Sequence, residues 1–140
     1  MTGRSGLNER ETVLDASVGL PFLHEESGAD RVERALQTGA IISALNWAEV
    51  LTKLIAEGGD PREVGATALP GGPGGPLRVV SFDESQAREA ARLTRHTPSH
   101  GLSLAERAAL GLALSRRLRV LTADRAWKSP RLPVTIEVIR

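Results

Sequence analysis

Cysteine is absent from the 140-residue chain, which excludes disulfides, thiol catalysis and cysteine-liganded zinc. Aromatic residues make up only 3%. Aliphatic side chains must therefore fill the core, and the base-stacking platforms used by single-strand binders are scarce. No apolar run approaches the roughly 18 residues needed to cross a bilayer. The opening stretch MTGRSGLNERET lacks the apolar core of a signal peptide, so no membrane role is expected and the cytoplasm is the expected compartment. Neither sign of charge dominates, with 18 basic residues against 17 acidic ones for a net of +1. A nucleic-acid partner would have to be met by locally arranged charge.

What is present is ordinary for a globular protein: 41% hydrophobic and 25% charged residues. The length suits one domain; residues 1–11 read as a flexible leader and residues 12–140 as a single domain. Apolar runs at Thr12–Leu14, Ala40–Leu45, Leu77–Phe82, Arg119–Thr122 and Val134–Ile139 predict strands. Val18, Leu20, Phe22 and Leu23 suggest a short apolar helix. Helical spacing runs from Gly28 to Leu36, where Gly39 closes it, from Asp83 to Arg95, and from Leu104 to Arg117. After the second strand, Trp47, Val50, Leu51, Leu54 and Ile55 form an amphipathic stripe, with Asn46 as the expected cap. Gly58-Gly59 ends that helix and Asp60-Pro61 begins another short one. Alternating strands and helices predict an α/β fold with a mostly parallel sheet. The segment Pro70–Pro76 is a loop and not a phosphate cradle, because no Lys-Ser/Thr pair follows and its prolines lack N–H donors.

Four carboxylates carry the chemistry. Asp15 and Asp124 lie at the carboxyl ends of two predicted strands, and Glu49 and Glu106 in the first turns of two predicted helices. In a parallel sheet with crossover helices these positions share one edge. Each has a structural explanation: Asn46-x-x-Glu49 and Ser103-x-x-Glu106 both fit a capping box. Glu49 can pair with Lys53 one turn on, and both aspartates can cap helices. Gathered together, however, carboxylates about 4 Å apart repel by roughly 4 kcal/mol per pair at an effective dielectric of 20. A divalent cation removes that cost, and Mg²⁺ or Mn²⁺ on oxygen ligands suits phosphodiester hydrolysis.

The segments VLDAS (Val13–Ser17), ISALNWAEV (Ile42–Val50), HGLSLAERAALGLAL (His100–Leu114) and VLTADRAW (Val120–Trp127) resemble the PIN-domain family, and within it the VapC toxins of bacterial toxin–antitoxin pairs. The resemblance runs from Val13 to the C-terminus. It implies a three-layer α/β/α sandwich and a Mg²⁺- or Mn²⁺-dependent endoribonuclease acting on RNA. It also implies a cognate antitoxin as partner and a homodimer. Asp15, Glu49 and Asp124 match family acids, Thr122 a small hydroxylic residue that supports them, and Asn46 a frequent helix-start residue. Glu106 stands where the family usually has Asp, one methylene shorter, and the capping-box explanation is strongest there. Arg125 and Lys128, just after Asp124, are weaker candidates for contact with RNA phosphate. Arg116, Arg117 and Arg119 are explained as charges complementing a helix C-terminus. His24, His96 and His100 have no metal-ligand spacing.

Two other functions compete. A PIN domain weakened in catalysis would bind RNA or a protein without cutting, a reading prompted by Glu106. A phosphotransfer protein would use Asp15, but a phosphatase of the haloacid-dehalogenase type wants an acid where this chain has Ser17. A receiver domain wants a lysine that Thr122-Ala123-Asp124 does not supply.

Overall fold

Successive residues of a strand face opposite sides of a sheet, and the short apolar runs of this chain use both sides. The structure is a computed structural model and describes residues 11–18, 28–63, 77–95, 101–124 and 133–139. Five strands form one sheet: β1 (Thr12–Leu14), β2 (Ala40–Ser43), β3 (Leu77–Val80), β4 (Val120–Thr122) and β5 (Ile136–Val138). Their order is β3-β2-β1-β4-β5, and every pairing is parallel. β1 is therefore central, with Val13 opposite Ile41 on one side and Val120 on the other.

Alternation splits the core in two. Leu14, Ile42 and Leu121 pack with Val32, Leu36 and Val50 on one face. Val13, Ile41 and Val120 pack with Leu93, Ala109, Leu110 and Ala113 on the other. Strands covered on both faces must be apolar throughout, which is why they read as runs rather than as alternating patterns.

Helices supply the outer layers: α1 (Ala29–Thr38), α2 (Ala44–Ala56), α3 (Glu84–Arg92) and α4 (Leu104–Arg116), with a 3₁₀ turn at Leu93–Arg95. Asp83 caps α3 by accepting from the Gln86 N–H at 3.0 Å. Against α3, α4 presents Gly111, where a Cβ would lie 3.2 Å from the Glu89 Cβ. The missing side chain lets the two helices approach closely. The Arg107 guanidinium then donates to the Ala90 carbonyl at 2.9 Å, satisfying an acceptor near the end of α3.

Most strand ends are shorter than the sequence implies. Ala44 and Leu45, expected in β2, already belong to α2; the sheet passes into the helix with no loop between. The amphipathic stripe of α2 is also only half used. Val50 is buried, but Ile55 is 54% exposed, since only the amino-terminal half of the helix meets the core. The expected leader apart from Glu11, the Gly/Pro loop and most of the apolar segment after Val18 lie outside the described residues. Among the described residues no helix is long and apolar enough to cross a membrane.

Candidate functional site

The strand-to-helix junctions at the carboxyl ends of β1, β2 and β4 carry most of the polar residues singled out above. Asp15 follows β1 directly, and its backbone N–H donates to Leu121 of β4 at 3.2 Å. The chain then turns through one helical turn at residues 16–18. The Asp15 carboxylate accepts from the Ser17 N–H and its carbonyl from Val18, so the aspartate does cap that turn. Its side chain is nonetheless only 4% exposed.

Hydroxyl groups surround it. Thr122, fully buried at the end of β4, hydrogen-bonds the Asp15 carboxylate and accepts from the Asp124 N–H at 3.0 Å. Ser17 Oγ accepts from the Ala123 N–H at 2.8 Å and lies 3.3 Å from Thr122 Oγ1. Ser17 thus links the ends of β1 and β4, a role the sequence reading did not assign. The available signal was a small hydroxylic residue two positions after a strand-end aspartate. Burial pushes the Asp15 carboxyl above its ordinary range. Hydrogen bonds from Thr122 and Ser17 pull it back, and the negative charge of Glu106 adds to the rise.

Glu106 sits in the first turn of α4, and its expected capping box is present. The Ser103 N–H donates to Glu106 Oε1 at 2.7 Å and the Glu106 N–H to Ser103 Oγ at 3.1 Å. The carboxylate therefore holds the helix end while its charge is felt at Asp15.

At α2 the expectation needs correcting. The cap is Ser43, whose Oγ accepts from the Leu45 N–H at 3.2 Å, and not Asn46. Asn46 is 1% exposed inside the first turn. Its amide donates to the Ala105 carbonyl in α4 at 2.9 Å, which fixes the amide orientation because a carbonyl can only accept. The other end, Oδ1, is buried with no hydrogen-bond partner among the described residues.

Glu49 consequently falls in the second turn, three residues beyond where a capping box would put it. The Lys53 pair is not formed either. Glu49 is exposed and has no hydrogen bond or ion pair among the described residues. Both structural explanations for this glutamate fail. Asp124 lies two residues past β4, half-buried, tied by its backbone to Thr122. Arg125 and Lys128 lie outside the described residues.

The structure thus brings Asp15, Glu106, Thr122, Ser17 and the Asp124 backbone into one neighbourhood, with Asn46 tying α2 to α4 beside it. Among the described residues, no three Asp, Glu or His side chains stand close enough to hold a metal ion together.

Residues 12–131 match the family model of the PIN domain. A sequence comparison with curated proteins returns no match. Similar solved structures include VapBC2 from Rickettsia felis bound to a promoter DNA fragment (TM-score 0.68, 12% identity, covering 92% of this chain and 98% of that one). A toxin–antitoxin complex from Klebsiella pneumoniae gives a TM-score of 0.65 at 17% identity, covering 90% of this chain and 100% of the other. VapC20 of Mycobacterium tuberculosis, described as a sarcin-ricin loop cleaving toxin, gives 0.64 at 15% identity over 89% and 99%.

Proposed function

Because the chain belongs to the PIN domain family, we propose that it is an endoribonuclease that hydrolyses RNA phosphodiester bonds with Mg²⁺ or Mn²⁺ held by Asp15, Glu49, Glu106 and Asp124. The observation that carries this reading is the Asp15 carboxylate, buried, ringed by hydroxyls and raised in pKa, with a second acid close enough to raise it further. A buried acid in that state gains from a cation what it has lost in water.

The donors fit a hard divalent ion, since all are oxygens. They include Asn46 Oδ1, a buried acceptor with no donor among the described residues, suited to a water in the ion's hydration shell. When bound, Mg²⁺ or Mn²⁺ supplies Lewis acidity at the scissile phosphate. The protein's own part is positioning. Thr122 and Ser17 orient Asp15, the capping box fixes Glu106 on its helix, and Asn46 sets α2 against α4. Glu49, exposed and with no partner among the described residues, would be available as a further oxygen donor.

The deciding experiment incubates purified protein with structured RNA, with Mg²⁺, Mn²⁺ or chelator, beside Asp15→Asn. Divalent-dependent cleavage lost in the variant is expected. Cleavage that survives both chelator and substitution would refute the assignment.

The alternative of a PIN domain that binds without cutting draws on Glu106 Oε1 being engaged by the Ser103 N–H. The same assay decides it: RNA retained but uncut with either metal favours binding alone.

The family resemblance and the toxin–antitoxin neighbours support a cytoplasmic toxin held by a cognate antitoxin. A basic side chain of that partner would suit the acidic end of the sheet as a substitute counter-charge. A homodimer is the accompanying proposal, supported by Ile55 and Val79, apolar and 54% and 44% exposed on α2 and β3. Light scattering of the purified chain measures it directly.

A further inference from the structure

The opposite end of the sheet carries the reverse charge. A cavity of about 880 Å³ opens at the amino ends of β1, β4 and β5, between the last turns of α1 and α4. Arg31, Arg34, Arg117 and Arg119 line it, over a floor that includes Leu118 and Val134. Arg31 is held by a two-bond fork to Glu137, at 2.7 and 3.0 Å, and Arg119 reaches the same carboxylate at 3.6 Å. Glu11, the acid in the lining, is engaged by Arg78 at 2.8 Å. Arg34 and Arg117 have no ion pair among the described residues. Four arginines thus line the cavity, two of them sharing the Glu137 carboxylate.

Arg117 adds an independent observation. It ends α4 in the left-handed conformation, with φ 58°, the only non-glycine residue at positive φ among the described residues. Its N–H donates to Leu114 and that of Leu118 to Ala113, the turn in which glycine is the unstrained choice. A long cationic side chain is kept at a position that disfavours every side chain, and that side chain lines the cavity.

We propose that this cavity is a second RNA-binding site that holds the phosphate backbone of the substrate away from the point of cleavage. The proposal rests on the ribonuclease reading above. A volume of this size exceeds a single phosphate, and guanidinium groups from two separate helices, with no ion pair among the described residues, suit repeating charges. Arginine meets phosphate through paired N–H bonds. Among the described residues the lining has no aromatic side chain, so bases find no stacking partner there and recognition is of backbone rather than sequence. β4 runs from Arg119 at this end to Thr122 beside Asp15, about 10 Å at the rise of a strand. An RNA seated here lies one strand length from the carboxylates.

The test measures binding of a labelled RNA oligonucleotide in chelator, where cleavage is off, against Arg117→Gly and Arg34→Gln. Each variant is expected to weaken binding about fivefold and to reduce the slope of log K against log salt by about 0.7, the loss of one phosphate contact. Arg117→Gly should at the same time raise the thermal midpoint by about 2 °C, because glycine relieves the left-handed residue. A weaker yet more stable variant cannot be explained by misfolding. Unchanged RNA affinity and salt slope in both variants would overturn the site and leave the nuclease reading standing. Displacement of an acidic peptide rather than RNA by these substitutions would also overturn it, in favour of a protein partner. Failure of cleavage in every metal, with these binding changes intact, would instead remove the nuclease reading and keep the site.

Discussion

The two ends of one short parallel sheet treat charge in opposite ways. At the carboxyl end Asp15 is buried, held by hydroxyls and close to a second acid. At the amino end Arg31 and Arg119 share Glu137 in partial contact with water, their side chains 20% and 52% exposed. Burial makes the first arrangement selective, because a desolvated carboxylate pays heavily for any poor counter-charge. Exposure makes the second permissive, because screening leaves weak, long-range attraction that salt attenuates. A surface that must choose an ion and a surface that must collect a polyanion want these two different environments.

The comparison breaks most visibly at Asp15. Asp15→Asn is expected to lower metal-dependent cleavage at least about a hundredfold, some 2.7 kcal/mol. It should also raise the metal-free thermal midpoint, because the amide oxygen still accepts from the Ser17 N–H, the neighbouring hydroxyls can accept from its NH₂, and no charge is buried. Calorimetry without divalent ions measures the second effect. Next comes Glu106, where Gln preserves the capping box but not the charge. Cleavage should fall about tenfold, or roughly 1.4 kcal/mol, with little change in midpoint. Glu106→Asp should retain activity; full activity in Glu106→Gln would make the residue a helix cap only. Asn46→Ala removes the side-chain bond that ties α2 to the Ala105 carbonyl of α4, so denaturant titration should show a loss of about 1 kcal/mol. Saturation of the remaining activity should then require more Mg²⁺.

The smallest effect is a difference in the sign of pH dependence. The folded-state pKa of Asp15 is raised, chiefly by burial, so in metal-free protein the folded chain keeps a proton that the unfolded chain has lost. Its contribution to stability is fully present below the ordinary carboxylate pKa and declines as pH rises through the folded value. Glu137 is lowered, chiefly by its hydrogen bond with Arg31. Its contribution is present above the ordinary pKa and is lost as pH falls through the folded value. Denaturant midpoints across acid pH should steepen in opposite directions for Asp15→Asn and Glu137→Gln. Parallel curves would show that the two ends do not differ in this way.

Sequence patterns exposed what is local and hid what is not. The capping box of Ser103 and Glu106 spans four residues, and both of its bonds are where that pattern puts them. Asn46 has the same look, a polar residue three before a glutamate, yet its partner is Ala105, 59 positions away. No local rule distinguishes a cap from a buried amide that meets another helix. With Ser43 already at the end of β2, the helix starts three residues early and Glu49 moves out of its first turn. The parallel sheet was legible because apolar runs alternating with helical stripes admit few other arrangements. The arginine cavity was not, since Arg31 and Arg34 come from one end of the chain and Arg117 and Arg119 from the other. The local explanation for the latter pair, complementing a helix end, covers the backbone cap at Arg117 but not its side chain.

The bond from the Ala123 N–H to Ser17 Oγ joins residues 106 positions apart, and it has a consequence in time. β1 is made before β4 on the ribosome, and the hydroxyl of Thr122 that holds Asp15 is added only 107 residues after Asp15 itself. Contacts of such separation form late, after shorter loops have closed. A nascent chain therefore carries Asp15 for most of its synthesis without the groups that orient it. If the finished domain cuts RNA, its assembly order keeps that activity silent beside the ribosome until β4 has been made.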